Sequence, residues 1–173
     1  TNPITSSDAQ VSITGPAGMS KYLWSNTATT QNITVETGGT YSLTVTDANG
    51  CTSTQSTEVV FSTDIELTAI VNTSICQNNT PEPITVTVTN KSGRTINTGT
   101  ELSFDGTVNG VAFSEKYSLT SGLAPLASTT ITLTASLPRA TAGQYPITVE
   151  VDIDNDLNTD NNKKDATITV NPS

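Results

Sequence analysis

Along nearly the whole chain, apolar residues occupy every second position. Val11 and Ile13 alternate with Ser12 and Thr14, and Ile33 and Val35 flank Thr34. Tyr41, Leu43 and Val45 alternate with Ser42 and Thr44. Ile84, Val86 and Val88 alternate with Thr85, Thr87 and Thr89, and Ile131 and Leu133 with Thr132 and Thr134. Tyr145, Ile147, Val149, Val151 and Ile153 form one face against Thr148, Glu150 and Asp152, and Ile168 and Val170 close the pattern. A period of two places one row of side chains on each face of an extended strand, so these runs predict antiparallel sheets with one dry and one wet face. Turn pairs fall between the runs: Gly15-Pro16, Gly38-Gly39, Asn49-Gly50, Asn109-Gly110, Ser121-Gly122 and Ala142-Gly143. No stretch of useful length has helical periodicity.

The pattern also repeats. Gly39-Thr40-Tyr41-Ser42-Leu43-Thr44-Val45-Thr46-Asp47 matches Gly143-Gln144-Tyr145-Pro146-Ile147-Thr148-Val149-Glu150-Val151-Asp152 in the register of Gly, Tyr, Thr and Val. A Gly-x-Tyr entering a late strand resembles the tyrosine corner of immunoglobulin-like domains, whose ring packs inward while its hydroxyl ties down a loop. Each copy precedes an Asx-rich turn and one last strand. Two penultimate strands mean two modules, so the expected fold is all-β, with two tandem immunoglobulin-like antiparallel β-sandwich domains spanning residues 1–62 and 63–173. The first ends in the strand through Val59, Val60 and Phe61, and the second begins with Ile65, Leu67 and Ile70. Trp24, beside Tyr22, is assigned to the core of the small first module. No Pro/Gly linker separates the modules, which predicts a short, stiff junction.

Composition narrows the function. Thr, Ser, Asn and Val dominate, as pleated surface favours. Sixteen acidic residues oppose seven basic ones, for a net charge of −9. The bases are scattered, which excludes a phosphate-binding face for nucleic acid and an anionic membrane surface. No apolar stretch approaches the ~20 residues of a membrane span. The chain is therefore read as a soluble segment of a longer exported precursor. There is no His, so Ser–His triads, Cys–His nucleophiles and Cys/His zinc sites are all excluded, and no enzymatic role is expected. Two thiols, Cys51 and Cys76, permit one disulfide. If the modules extend end to end, however, each lies about ten strand residues from the boundary, roughly 30 Å, so no bridge between them is expected, and each is read as a buried thiol or as a half-cystine with its partner outside this segment.

Acids are dense only where Asp152, Asp154, Asp156, Asn158 and Asp160 alternate with other residues. Alternate oxygens on a tight turn are the pattern of a calcium loop, and calcium is the one candidate cofactor. An EF-hand does not fit, because Leu157 takes the place of its central Gly and Lys163 that of its final Glu. The competing reading is a solvated hairpin rich in turn-forming Asx residues. Both stay open.

The string Tyr22-Leu23-Trp24-Ser25-Asn26 through Gly39-Thr40-Tyr41 to Asn49-Gly50-Cys51 resembles the PKD-like repeats of Bacteroidetes surface proteins, including gliding-motility adhesins. It lacks the upstream Cys that often accompanies that turn, and the repeat's first strands look abbreviated. Pro83-Ile84-Thr85-Val86-Thr87-Val88-Thr89-Asn90-Lys91-Ser92-Gly93, with the Asx-rich turn before the last strand, resembles CARDB domains, a bacterial family related to cell adhesion. These resemblances imply a stalk or adhesion unit on a Gram-negative cell surface, exported by the type IX system. Its expected partners are neighbouring repeat modules, with a surface glycan or protein as the alternative. An accessory segment of a secreted hydrolase is the remaining rival.

Overall fold

The computed structural model describes residues 3–71 and 74–172. The chain divides into two compact units, Thr1–Ser62 and Thr63–Ser173. Strands account for nearly all regular structure. Among the described residues the helical element is a single 3-10 turn, Thr159–Asn161.

The first unit contains β1 (Ile4–Ser6), β2 (Val11–Thr14), β3 (Lys21–Trp24), β4 (Asn32–Val35), β5 (Gly39–Thr46) and β6 (Thr52–Phe61). A four-stranded sheet in the order β1-β6-β5-β3 faces the pair β2-β4. The alternating residues meet between them: Val11, Ile13, Trp24, Ile33, Val35, Leu43 and Val59 form one buried cluster. Trp24 is 4% exposed, and its indole Nε1 donates to Thr30 O at 2.9 Å, so the largest side chain of this core also leaves no orphaned donor. On the wet face, hydroxyls pair across strands, Ser42 with Ser56 and Thr44 with Thr54 at 2.9 and 2.8 Å. These cross-strand pairs are one use of the Thr and Ser content. The hairpin joining β5 to β6 is closed by the Asp47 carboxylate, which accepts from Asn49 N and Cys51 N, while Gly50 supplies φ 87°.

The second unit contains β7 (Ile65–Ile70), β8 (Ser74–Cys76), β9 (Glu82–Asn90), β10 (Glu101–Val108), β11 (Val111–Ser118), β12 (Ser128–Leu137), β13 (Gly143–Asp152) and β14 (Lys163–Asn171). A five-stranded sheet, β11-β10-β13-β14-β8, faces a three-stranded sheet, β12-β9-β7. Their inner faces bury an aliphatic core around Phe104 that includes Leu67, Val86, Ile131, Val149 and Ile168. Asn109 and Gly110 both take positive φ, 50° and 80°, as a two-residue hairpin turn requires to match strand twist. The spacing Ile65, Leu67, Ile70 skips one position because β7 slips register between Leu67 and Ala69; the bulge returns Ile70 to the core. A second irregularity, between Thr132 and Ser136 of β12, is held from the facing sheet. The Glu115 carboxylate accepts from Thr134 N, Thr134 Oγ1 and Ala135 N at 2.8, 2.9 and 3.1 Å.

Both tyrosine corners are present. Tyr41 Oη donates to Thr37 O and Tyr145 Oη to Thr141 O, each at 2.8 Å and each four residues back. The rings are half-buried rather than fully buried, because the hydroxyl must reach a carbonyl at the rim of the sheet.

Candidate functional site

The acidic segment follows β13. Ile153 is buried, and Asp154 and Asn155 then turn the chain, Asn155 in the left-handed region at φ 62°. Asx residues tolerate that conformation at little cost, which accounts for the local composition. The segment is then tied to the start of the second unit. Thr63 N donates to Asn155 O at 3.0 Å, Thr63 Oγ1 to Asp154 O at 2.6 Å, and Leu157 N to Thr63 O at 3.3 Å.

The five predicted ligands separate. Asp152 lies exposed at the end of β13, opposite Ser103. Asp154 is exposed, and its charge acts on Lys116. That ammonium is held above its ordinary pKa, first by its 2.5 Å hydrogen bond to Glu101, then by the Glu101 charge, with Asp154 adding to both. Asn158 and Asp160 are exposed. Asp156 alone turns inward. Its Oδ1 accepts from Asn158 N at 2.9 Å, and its Oδ2 from Ile65 N and Asn162 Nδ2, both at 3.2 Å. Among the described residues no three acidic, His or Cys side chains gather in a way that could hold a metal ion.

Three residues outside that prediction complete the neighbourhood of Asp156. Asn161 Nδ2 donates to Asp64 Oδ1 at 2.8 Å, and Asn162 is 1% exposed. Among the described residues, the buried side-chain atoms without a hydrogen-bond partner are Ser62 Oγ, Asn161 Oδ1 and Asn162 Oδ1. Asp64 is ninety or more positions from this turn in sequence, and no spacing pattern could have marked it.

A family model described as CARDB matches residues 62–167. This chain belongs to the CARDB family. The Asn90 turn lies within the matched segment, and its geometry explains why that turn has the residues it has. Asn90 is fully buried and uses every valence of its amide. Nδ2 donates to Arg94 O and Leu123 O at 2.6 and 2.8 Å, and Oδ1 accepts from Ser92 N and Ser92 Oγ at 2.9 and 2.5 Å. The CARDB unit thereby pins two loops to the end of β9.

Among solved structures, the chain is similar to the CARDB domain of a Pyrococcus furiosus protein in complex with di-metal ions. Identity is 19% over 64% of this chain and 86% of that one, with a TM-score of 0.41. It is also similar to the fibronectin(III)-like modules of Clostridium thermocellum CbhA, at 14% identity over 99% of this chain and 90% of that one, TM-score 0.34. No curated protein matches the chain.

The aromatic residues of the CARDB unit do not form a solvent-facing platform. Phe113 and Tyr117 on β11 pack against the core, Phe113 lying over Gly106 of the neighbouring strand. A Cβ at Gly106 would stand 2.9 Å from the Phe113 ring and would collide with Thr148 O. In the first unit an open cleft of about 390 Å³ is lined by Tyr41, Leu43 and Val45 of β5 with their neighbours Ser53 and Gln55 of β6, and by Trp24 and Ile13. Cys51 and Cys76 are both free, and both are exposed rather than buried.

Proposed function

We propose that this chain is a load-bearing spacer of a bacterial surface adhesin and has no enzymatic role. The observation that carries this reading is the parallel pairing of an early strand with the last strand of each unit, the first strand in the first unit and the second strand in the CARDB unit. In the first unit β1 runs parallel to β6, Ile4 opposite Val59 and Ser6 opposite Phe61. In the CARDB unit β8 runs parallel to β14, Ser74 opposite Thr169 and Cys76 opposite Asn171. When the two ends of such a unit are pulled apart, parallel neighbours slide past each other. Their hydrogen bonds are then loaded together in shear, whereas a terminal antiparallel hairpin opens one bond at a time. One such parallel pairing in each unit supports a chain built to carry tension.

On this reading the first unit is a PKD-like repeat and its neighbours in the parent protein are further modules. The parent is exported by the type IX route to the outer surface of a Gram-negative cell, where gliding or attachment loads it. Single-molecule stretching of the full chain tests the proposal. Two unfolding events are expected, with contour gains of roughly 17 and 34 nm from units of 62 and 111 residues. Ile75→Pro, which disrupts the β8–β14 ladder, should lower the force of the larger event and leave the smaller one unchanged. Unfolding of both units at forces no higher than those of a helical bundle pulled at the same speed would refute it.

A further inference from the structure

If this chain carries tension, the weak point of the CARDB unit is β8. It is three residues long, and its parallel pairing with β14 runs from Ser74 opposite Thr169 to Cys76 opposite Asn171. A strand that short frays unless its ends are held. The structure holds the end at which β8 leaves the sheet. The Arg139 guanidinium donates to Cys76 O from Nε at 2.9 Å and from Nη2 at 2.7 Å. Its third nitrogen, Nη1, reaches Glu82 Oε2 at 2.6 Å, at the start of β9 in the facing sheet. The Arg139 side chain is 14% exposed. With so little water around it, its charge-assisted bonds keep more of their strength than a surface ion pair does. One planar group therefore ties the end of β8 to the other sheet, in a fork that a lysine ammonium cannot reproduce.

The loop that carries Arg139 is itself fastened. Asn78 N donates to Arg139 O at 3.0 Å, and Gln77 Nε2 to Ala140 O at 2.7 Å. Thr141 O accepts the Tyr145 hydroxyl of the tyrosine corner at 2.8 Å. Tension that reaches Cys76 thus passes through the guanidinium to Glu82 on β9, and through the loop to Tyr145 on β13. The first unit has no counterpart. Residues 1–62 contain no Arg, and the three-residue β1 is continued past its ladder by a backbone bond, Ser62 N to Ser6 O at 2.9 Å. We propose that Arg139, oriented by Glu82, locks the β8–β14 seam, so that the CARDB unit is the stronger link and the first unit extends first. The inference rests on the tension-carrying reading and adds to it the order in which the units yield. A load too small to break the lock would lengthen the chain by the first unit alone and leave the CARDB unit folded.

Stretching the full chain at constant force tests the lock. In the parent, the gain of roughly 17 nm from the first unit is expected before the gain of roughly 34 nm from the CARDB unit. Arg139→Met should shorten the lifetime of the CARDB unit under load about tenfold or more, because a bond to a charged group is worth about one decade or more in an equilibrium constant. The first event should be unchanged. Arg139→Lys keeps the charge that faces Glu82 but not the fork, so it should recover only part of the loss. Far-UV spectra establish that each variant folds, and if Arg139→Met does not, Arg139→Lys decides. A second geometry separates a lock from general stabilisation. With handles at the exposed Gly93 and Gly110, tension runs along β10 and bypasses β8, and the Arg139 variants should then last as long as the parent. Equal shortening in both geometries would overturn the proposal. So would an unchanged lifetime of a folded variant pulled by its ends, or a parent whose CARDB unit yields first. A parent that fails at forces no higher than those of a helical bundle would instead refute the tension-carrying reading itself.

Discussion

Replacement of Asn90 tests whether the CARDB unit depends on one buried amide. In Asn90→Ala four side-chain hydrogen bonds disappear at a position with no solvent exposure. The partners are not affected equally. Leu123 O still accepts from Ile96 N at 2.9 Å, and Ser92 Oγ can still donate to Arg94 O at 3.2 Å. Ser92 N loses its acceptor in a residue that is itself 1% exposed. That orphaned N–H costs about 1–3 kcal/mol, and each of the three remaining lost bonds about 0.5–1.5 kcal/mol, so a total of about 5 kcal/mol is expected. Against a typical stability of roughly 5–15 kcal/mol this is a large fraction. With a urea slope of about 1.3 kcal/mol/M the midpoint of the CARDB unit should fall by roughly 4 M. Trp24 lies in the first unit, so tryptophan emission follows that unit alone, while the far-UV signal follows both. The expected result is a lowered far-UV transition with an unchanged tryptophan midpoint. Asn90→Asp separates hydrogen bonding from packing. It keeps the volume and the acceptor for Ser92 N, loses both donors, and buries a charge, so it should destabilise at least as much. A loss below about 1 kcal/mol in both variants would refute the reasoning, since buried amides with four partners cannot be that cheap to remove.

Other expectations follow from the packing. Trp24→Ala should cost about 3–5 kcal/mol and leave the first unit largely unfolded, read by loss of its near-UV signal and collapse of amide-proton protection in β2–β5. Glu115→Ala frees three donors at the β12 irregularity and should speed hydrogen exchange at Thr134 and Ala135 while lowering the melting temperature. Glu115→Gln, which keeps an acceptor, should restore part of the loss. Gly106→Ala should destabilise despite the higher strand propensity of Ala, because the new methyl would meet Thr148 O and the Phe113 ring; an unchanged urea midpoint would contradict that. Lys116 should titrate above the ordinary lysine range, and Glu101→Gln should return it there, followed by NMR. Its folded-state pKa is raised, so whatever the contact contributes is present below the ordinary lysine pKa and lost as pH climbs through the raised value.

Much of this molecule is written in short-range pattern. Alternation at Ile84, Val86 and Val88, or at Ile147, Val149 and Val151, predicts both the strand and its buried face, because a strand's side-chain period is set by its own backbone. The Gly-x-Tyr pairs at Gly39 and Gly143 are legible for the same reason: a tyrosine corner closes on a carbonyl four residues away. Asn109-Gly110 announces its hairpin through dihedrals that those residues adopt easily. Long-range pairing has no such local signature. The skip from Leu67 to Ile70 is a bulge imposed by pairing with β9, and the turn at Thr134 holds because Glu115 reaches it from another sheet. The acidic turn shows the division most clearly. Alternating Asx residues from Asp152 to Asp160 look like one ligand set, yet the tertiary structure leaves Asp152, Asp154, Asn158 and Asp160 exposed and brings only Asp156 inward. It also supplies Asp64 from the start of the unit. A turn's composition is decided by local dihedrals, but which oxygens meet is decided by the segments that the two sheets bring together.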